Sequence, residues 1–405
     1  MYRRFVLLTA LSGCGTNSSS STNFETPVRS LSLNHESACV VDADGALYCW
    51  GDSTAIPGAH AYSGPNNDCV APFISAAGGG VFGSCVTPGP MRLDTSMRFT
   101  KISRQTAIAT DGQLYMWPFT DFSQCDRMTN NCPSQIGSAG STLGFKDVGE
   151  FDGGWCGITT DGKGYCGFQE GSANGTTWFP LAPFGASQTF TRISVSGNAY
   201  AVLDTAGKAW VGTFTYTSGG PNHAVMEPSA WEPDKSFVDI VVQHRYGIPD
   251  QIYYPMAICG ITDGGAVVCS GPNDMGQRGT GTHEVLGSEN LSPSLVPNLS
   301  GVTSVGVGLE HVCATTASNQ LYCWGRSTEG QTAGTAYIEC RATDTRYNYC
   351  TPSPTLVTGL PPMKRVEASI QWTCGIAMDD TVYCWGLNTK NQLGGRTQQP
   401  VHVGE

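Results

Sequence analysis

Two cysteines ten residues apart, with a turn midway between them, are the feature that most constrains how this chain can fold. The first copy runs from Cys39 to Cys49 around an Asp-Gly turn at 44–45. Apolar residues flank the turn on both sides, which indicates a β-hairpin. With a three-residue loop at 43–45, Cys39 falls directly opposite Cys49 as a non-hydrogen-bonded pair. Cα atoms at such a pair approach to about 4.5 Å, within reach of a disulfide.

The same spacing recurs along the chain, and two further copies keep the turn but lack the cysteines. The other predicted pairs are Cys156 with Cys166, Cys259 with Cys269, Cys313 with Cys323, and Cys374 with Cys384. The third loop residue is always of a type that tolerates positive φ: Gly45, Gly162, Gly265, Asn319 and Asp380. The copies without cysteines run from Thr106 to Met116 and from Ala201 to Val211, with Gly112 and Gly207 at the third loop position. Together they predict a seven-fold repeat.

Each repeat has the pattern of a four-stranded antiparallel unit. Two apolar residues, three apart, precede most of the hairpins, as at Val28 and Leu31, and predict a strand A. The hairpin supplies strands B and C, and a proline-containing segment such as 352–357 predicts an edge strand D. Seven such units close naturally into an all-β, disulfide-rich, seven-bladed β-propeller over residues 28–405. The predicted repeats lie near 28–93, 99–140, 145–185, 190–234, 237–298, 302–358 and 363–403.

The N-terminus has the features of an export signal. A basic start and a short apolar run, from Phe5 to Leu11, are typical of a signal peptide. The sequence Leu11-Ser12-Gly13-Cys14 resembles the lipobox of bacterial lipoproteins, which implies that residues 1–14 end at a lipid-modified Cys14. Residues 15–27 are then a flexible, serine-rich tether. The resemblance predicts an exported, membrane-anchored lipoprotein at the outer membrane or cell surface; the alternative is an incidental cysteine in a poor signal peptide.

The remaining cysteines favour disulfides over metal binding. The chain has 17 cysteines, an odd number that Cys14 explains. Besides the hairpin pairs, six cysteines lie close in sequence, so eight disulfides are the favoured arrangement. These three pairs are Cys69 with Cys85, Cys125 with Cys132, and Cys340 with Cys350. The alternative is reduced thiols or zinc, but there is no Cys-x-x-Cys and the histidines are scattered. We expect an oxidising compartment, with no metal and no cofactor.

A family resemblance appears where strand C ends in Trp-Gly, at Trp50, Trp324 and Trp385. Two of these copies continue as Gly330-Gln331 and as 391–395, and the fifth repeat has a similar stretch at 270–277. Over residues 28–403 the chain resembles the RCC1 repeat family, which implies a seven-bladed propeller. Hairpin cysteines in an exported chain look like the bacterial branch of that family.

The functions known in that family carry over poorly to this sequence. Its eukaryotic founder is a nuclear exchange factor for a small GTPase, and a bacterial relative is a secreted inhibitor of a β-lactamase. No position here can be equated with the binding residues of either. The three tryptophans recur with the repeat, which favours blade packing. For His35 and His311, a structural role is sufficient: each can be a hydrogen-bonded polar residue at the end of a strand.

Neither nucleic-acid binding nor catalysis has a signal in the sequence. The formal net charge is −11, and no Lys/Arg cluster exists beyond the N-terminus, which argues against DNA or RNA contacts. No Gly-x-Ser-x-Gly, phosphate loop or His-Glu-x-x-His is found, so no catalytic residue is assigned. A propeller enzyme acting on envelope or extracellular glycan stays open, because such sites draw carboxylates from several blades. A structural envelope component is the second alternative.

Sequence that does not repeat is concentrated in four insertions, which predict the binding surface. Three follow strand C, near 52–90, 118–140 and 326–350, and one lies between strands A and B near 245–255. Antiparallel order puts all four on one face. The candidate contact residues there are Tyr62, Tyr246, Tyr253, Tyr254, Tyr337, Tyr347 and Tyr349. We expect a monomeric, non-enzymatic propeller that binds a protein or glycan with this face; the alternative is that long loops accumulate where they do no harm.

Overall fold

The computed structural model shows seven antiparallel sheets in chain order, and its described residues contain strands and turns but no helix. The structure describes residues 24, 26–34, 36–51, 90–92, 97–116, 134–135, 143–151, 154–172, 175–178, 181–215, 224–243, 256–284, 292–334, 338–343, 346–389, 391–394 and 401–402.

Within the described residues, blades 1, 2, 5 and 7 have four strands each, in the predicted order A-B-C-D. Blade 1 contains β1 (Val28–Leu33), β2 (Ser37–Asp42), β3 (Leu47–Gly51) and β4 (Met91–Arg92). Blade 2 contains β5 (Phe99–Ser103), β6 (Thr106–Ala109), β7 (Leu114–Met116) and β8 (Ser134–Gln135). Blade 5 contains β19 (Phe237–Gln243), β20 (Ala257–Thr262), β21 (Val267–Ser270) and β22 (Ser294–Leu295). Blade 7 contains β28 (Met363–Ala368), β29 (Trp372–Ala377), β30 (Val382–Gly386) and β31 (Val401–His402).

Blades 3, 4 and 6 have a fifth strand, which the repeat pattern did not predict. Blade 3 contains β9 (Phe145–Phe151), β10 (Gly154–Thr159), β11 (Gly164–Ser172), β12 (Gly175–Trp178) and β13 (Ala182–Phe184). Blade 4 contains β14 (Phe190–Ser196), β15 (Ala199–Asp204), β16 (Ala209–Thr215), β17 (Ala224–Val225) and β18 (Ser229–Trp231). Blade 6 contains β23 (Val302–Val307), β24 (His311–Thr316), β25 (Leu321–Arg326), β26 (Ile338–Thr343) and β27 (Arg346–Leu356).

The predicted hairpin register is confirmed in all five repeats that carry the cysteines. In each of them the two cysteines are directly opposite partners on strands B and C, and the structure places their sulfur atoms at bonding distance. The pairs are Cys39 with Cys49, Cys156 with Cys166, Cys259 with Cys269, Cys313 with Cys323, and Cys374 with Cys384. Their Cα atoms are 4.0–4.2 Å apart, and the strand-C cysteines Cys49, Cys166, Cys269, Cys323 and Cys384 are buried like their partners.

The turn between strands B and C has the left-handed residue that the sequence predicted. The third loop residue has positive φ in every repeat, from 62° at Asn319 to 86° at Gly162. The choice of Gly, Asn and Asp at this position therefore reflects the backbone conformation of the loop.

A β-bulge near the start of strand A explains why its two apolar residues are three apart, although side chains alternate in a regular strand. In all seven blades the register skips one residue there, as between Val28 and Ser30. The extra residue brings the first and fourth residues, such as Val28 and Leu31, to the same side. Both then enter one apolar cluster, and this holds for each blade.

The seven A strands are the innermost, and each contacts the A strand of the next blade all round the ring. Each of the seven junctions between blades has its own apolar cluster. The hairpin disulfides belong to these clusters: Cys39 and Cys49, for example, pack with Phe99 of blade 2. At the closing junction, Val28 and Trp50 of blade 1 pack with Trp372 of blade 7, so the ring closes as predicted.

Candidate binding face and central channel

Strand polarity gives the ring two different ends. One end, here called the turn end, carries the B–C turns, such as 43–46 and 378–381. The other, the loop end, carries the A–B and C–D connections, where the four predicted insertions begin and end. We therefore expect the binding surface at the end whose residues are not used to hold neighbouring blades together.

At the turn end the repeated residues join neighbouring blades. The carbonyl of the third loop residue accepts a hydrogen bond from the first strand-A amide of the following blade, at 2.8–2.9 Å. This occurs at six consecutive junctions: Gly45–Phe99, Gly112–Phe145, Gly162–Phe190, Gly207–Phe237, Gly265–Val302 and Asn319–Met363. The left-handed turn residue is thus needed to aim a carbonyl at the next blade, and the Asp-Gly pattern is accounted for by structure.

At the loop end one of the seven candidate tyrosines has a described side chain. Tyr349 lies in β27 opposite Glu339 and is 36% exposed. The backbone of Tyr347 pairs with Ala342 in the same hairpin. Outside the described residues lie Tyr62, Tyr246, Tyr253, Tyr254 and Tyr337, together with Cys14, His35, Cys69, Cys85, Cys125 and Cys132. The third leftover pair, Cys340 and Cys350, is at bonding distance within the β26–β27 hairpin.

The boundary of the sixth-repeat insertion differs from the predicted 326–350. Gln331 lies within that range, yet its carbonyl accepts hydrogen bonds from the Trp385 indole at 2.9 Å and from the Thr373 hydroxyl at 3.1 Å, both in blade 7. Residues 327–332 therefore hold two blades together. The hairpin that does not recur comprises 338–343 and 346–350, and Ile338 and Tyr349 are exposed on it.

The three repeated tryptophans are confirmed as packing residues. Trp50, Trp324 and Trp385 are fully buried, and each donates its indole N–H to a glutamine carbonyl of the preceding blade at 2.9 Å. For Trp50 that carbonyl is Gln392 of blade 7, so this bond crosses the closing junction. The glutamine-containing segments after strand C thus hold neighbouring blades together.

The described part of the central channel is lined by ion pairs, two of them between neighbouring A strands and one within β28. Lys101 pairs with Asp147, Arg192 with Asp239 at 2.5 Å, and Arg365 with Glu367 at 2.8 Å. Burial raises the pKa of Asp239, and Arg192 partly offsets this. Burial would lower the pKa of Arg365, but the carboxylates of Glu367, Asp239 and Asp147 raise it. Blades 3, 5 and 7 thus interact electrostatically across the channel.

Side chains on the A strands also satisfy backbone amides of the next blade. The acceptors are a hydroxyl or carboxylate oxygen, and the donor amide lies 2.8–3.4 Å away. The pairs are Ser30–Ile102, Ser32–Arg104, Ser103–Glu150, Asp147–Ile193, Ser194–Val242 and Ser304–Val366. We call these contacts latches. They occupy the hydroxyl or carboxylate oxygens of these six residues with contacts between blades.

The described axial carboxylates accordingly all have structural partners. Asp147, Asp239 and Glu367 are ion-paired, and Glu150 accepts hydrogen bonds from the Gln105 amide at 2.5 Å and the Thr106 hydroxyl at 2.9 Å. A glycan-cleaving site needs a pair of carboxyl groups flanking an open position. The ion pairs of Asp147, Asp239 and Glu367 and the hydrogen bonds of Glu150 weigh against that chemistry at these four residues.

His311 belongs to a buried hydrogen-bonded chain between blades 6 and 7. Its Nε2 lies 2.8 Å from the Thr373 hydroxyl, which in turn donates to the Gln331 carbonyl. Burial, with a smaller contribution from Arg326, lowers the pKa of His311 to about 3. The imidazole is therefore neutral at pH 7, in keeping with a structural role.

Among the described residues, no three His, Cys, Asp or Glu side chains are grouped to hold a metal ion. Within the same residues, no helix is long and apolar enough to cross a membrane.

One repeat matches a known family model. Residues 302–331 match the regulator of chromosome condensation (RCC1) repeat, as the sequence resemblance predicted. The chain matches none of the curated proteins with which it was compared.

The fold itself is similar to solved propellers. Human WBSCR16 superimposes with a TM-score of 0.57 at 14% identity, covering 88% of each chain. Prp20p from Saccharomyces cerevisiae, described with its binding to Gsp1p and histones, gives 0.54 at 14% identity, covering 92% of this chain and 75% of that one. The yeast protein in a complex with Kap60 gives 0.53 at 14% identity, covering 92% and 73%. The similarity establishes an RCC1-like seven-bladed fold.

Proposed function

We propose that this chain is an exported, lipid-anchored, non-enzymatic propeller that binds a protein partner with its loop end. The observation that supports the proposal is that the residues at the two ends of the ring have different roles. Turn-end residues bond neighbouring blades at six junctions, whereas the non-repeating sequence begins and ends at the loop end.

A protein is the partner class that the fold relatives favour. The yeast relative is described as binding Gsp1p, histones and Kap60, which are all proteins. Exposed Ile338 and Tyr349 on the sixth-blade hairpin suit a protein contact, since aromatic and large apolar residues are enriched at interface cores. The lipid anchor and the envelope location rest on the Leu11–Cys14 motif.

Non-enzymatic action is supported by the channel. The carboxylates of Asp147, Asp239 and Glu367 each have a cationic partner, and latches use the hydroxyls of the A strands. An enzyme would need at least one such carboxyl group released for acid–base chemistry.

Capture of the partner by variants of the two ends tests the proposal. In the loop-end variant, residues 52–89 and 335–350 are replaced by short Gly-Ser linkers, which spares Gln331 and its bonds to blade 7. In the turn-end variant, exposed Asp44 and Asp379 become Ala. Each variant is immobilised with its hairpin disulfides intact, and captured proteins and glycans are quantified separately.

We expect the loop-end variant to lose the captured protein and the turn-end variant to retain it. Thermal melting and circular dichroism must show that both stay folded. Retention by the loop-end variant with loss by the turn-end variant would place the interface at the other end. Specific capture of a glycan alone would refute the partner class.

A further inference from the structure

The closing junction, between blades 7 and 1, differs from the others in its covalent structure. Six junctions are crossed by a chain segment that runs from strand D of one blade to strand A of the next. The seventh joins the first blade of the chain to the last, so no such linker crosses it. Its bonds include those from Ser369 to the Asn34 carbonyl at 2.7 Å and from Trp50 to the Gln392 carbonyl at 2.9 Å.

At linker-connected junctions, strand D or the linker supplies apolar side chains to the junction core. Between blades 5 and 6, Val296 and Leu299 pack with Trp324. Between blades 6 and 7, Val357 and Leu360 pack in the cluster that contains Trp385. Between blades 3 and 4, and 4 and 5, strand D supplies Phe184 and Trp231, whose rings lie 5.7 Å and 5.1 Å from Phe190 and Phe237.

At the closing junction an apolar side chain also packs from the N-terminal side of blade 1. Phe24 is half-buried against the blade 7–blade 1 cluster, with its ring 5.4 Å from Tyr48 and 6.5 Å from Trp50. Two further contacts hold the segment: the Pro27 carbonyl accepts the Ala43 amide at 2.7 Å, and the Thr26 hydroxyl accepts the Asp44 amide at 3.3 Å. These residues were predicted to be part of the tether, yet they are seated on the propeller.

We infer that Phe24, Thr26 and Pro27 form a strap that completes the ring by replacing the missing linker. Phe24 stands in for residues such as Leu360, and the hydrogen bonds of Thr26 and Pro27 position it. Ring closure therefore depends on the N-terminal segment, and loosening the strap opens the junction between blades 7 and 1 before any other.

Hydrogen exchange of the full-length, oxidised protein tests the strap, because it reports local opening blade by blade. In Phe24→Ala, amide exchange in 37–51 and 372–386 should rise at least tenfold, with blades 3 to 5 unchanged. Phe24→Leu, which keeps an apolar side chain, should restore most of the protection. The matched control is Leu360→Ala, which removes the equivalent contact at a junction that has a covalent linker.

The Leu360→Ala control should raise amide exchange at 321–326 and 363–386, while the amides of blade 1 stay protected. The inference is overturned if Phe24→Ala leaves exchange in blades 1 and 7 within twofold of the unmodified protein. It is also overturned if exchange rises equally in all seven blades, since Phe24 would then stabilise the fold in general. If the alanine variant folds poorly, the smaller truncation Phe24→Val gives the same two readings, with a rise in exchange of more than twofold expected in blades 1 and 7.

Discussion

A further hairpin disulfide can be introduced into the fourth blade, which has no cysteine at either hairpin position. Ala201 and Val211 lie directly opposite each other in β15 and β16, in the register that the cysteine pairs occupy elsewhere. The turn between them has Gly207 at φ 73°, close to the 80° of Gly45 in the first hairpin. The double substitution Ala201→Cys and Val211→Cys should therefore oxidise without backbone movement.

The size of the effect follows from the loop that the bond closes. Chain entropy gives about 2.8 kcal/mol for a closed loop of about eleven residues. Two terms reduce this value. The hairpin can persist in the unfolded ensemble, and loss of the half-buried Val211 side chain costs about 0.5–1 kcal/mol. A net gain of about 1–2 kcal/mol is expected.

Non-reducing peptide mapping and guanidinium unfolding give the two readings. The map should link residue 201 to residue 211, and the oxidised double variant should unfold at higher denaturant than either single variant. Unbonded thiols after oxidation, or a link from either position to another blade, would refute the register on which the reasoning depends. A stable link that lowers stability would refute the entropy argument.

Three other predictions test the channel, the buried histidine and the N-terminus. Arg192→Met should lower the free energy of unfolding by about 1–2 kcal/mol, since it leaves largely buried Asp239 without its cation, while Arg29→Met at an exposed position should change it by less than about 0.5 kcal/mol. Because burial holds the pKa of His311 below that of an unfolded histidine, stability should fall by up to about 1.4 kcal/mol per pH unit as pH drops below about 6.5, and His311→Gln should flatten that slope. Intact-mass analysis of membrane-extracted protein should show acyl chains on Cys14; an unmodified chain starting elsewhere would contradict the lipobox.

Local periodic features were predictable from sequence because they depend on neighbours in the chain. The hairpin register, the positive φ of residues such as Gly162 and Asp380, and the burial of the strand-A pairs all follow from spacings of ten residues or fewer. The three-residue interval in strand A was visible as a pattern. Its cause, a bulge, emerged only from the strand pairing.

Contacts between blades were not predictable, because they join residues far apart that share no sequence signal. Lys101 and Asp147 are 46 residues apart, and the Ser32 latch reaches Arg104 across 72. Each looks like an ordinary polar residue on a strand. Phe24 was assigned to the tether because its flanks are polar, and nothing local shows that the ring lacks a linker there. The predicted insertion at 326–350 begins too early in the sequence, because Gln331 within it accepts a hydrogen bond from Trp385 of blade 7.

Site-specific photo-crosslinking tests most directly the claim that the loop end is the working surface. Benzoylphenylalanine replaces Tyr349 at the loop end or, as the matched control, Met378 at the turn end; the two native side chains are 36% and 52% exposed. Both variants are expressed at native level and irradiated in intact cells, and adducts are identified by mass spectrometry. A protein adduct at position 349 and none at 378 is the predicted result. An adduct at 378 with none at 349 would contradict the account.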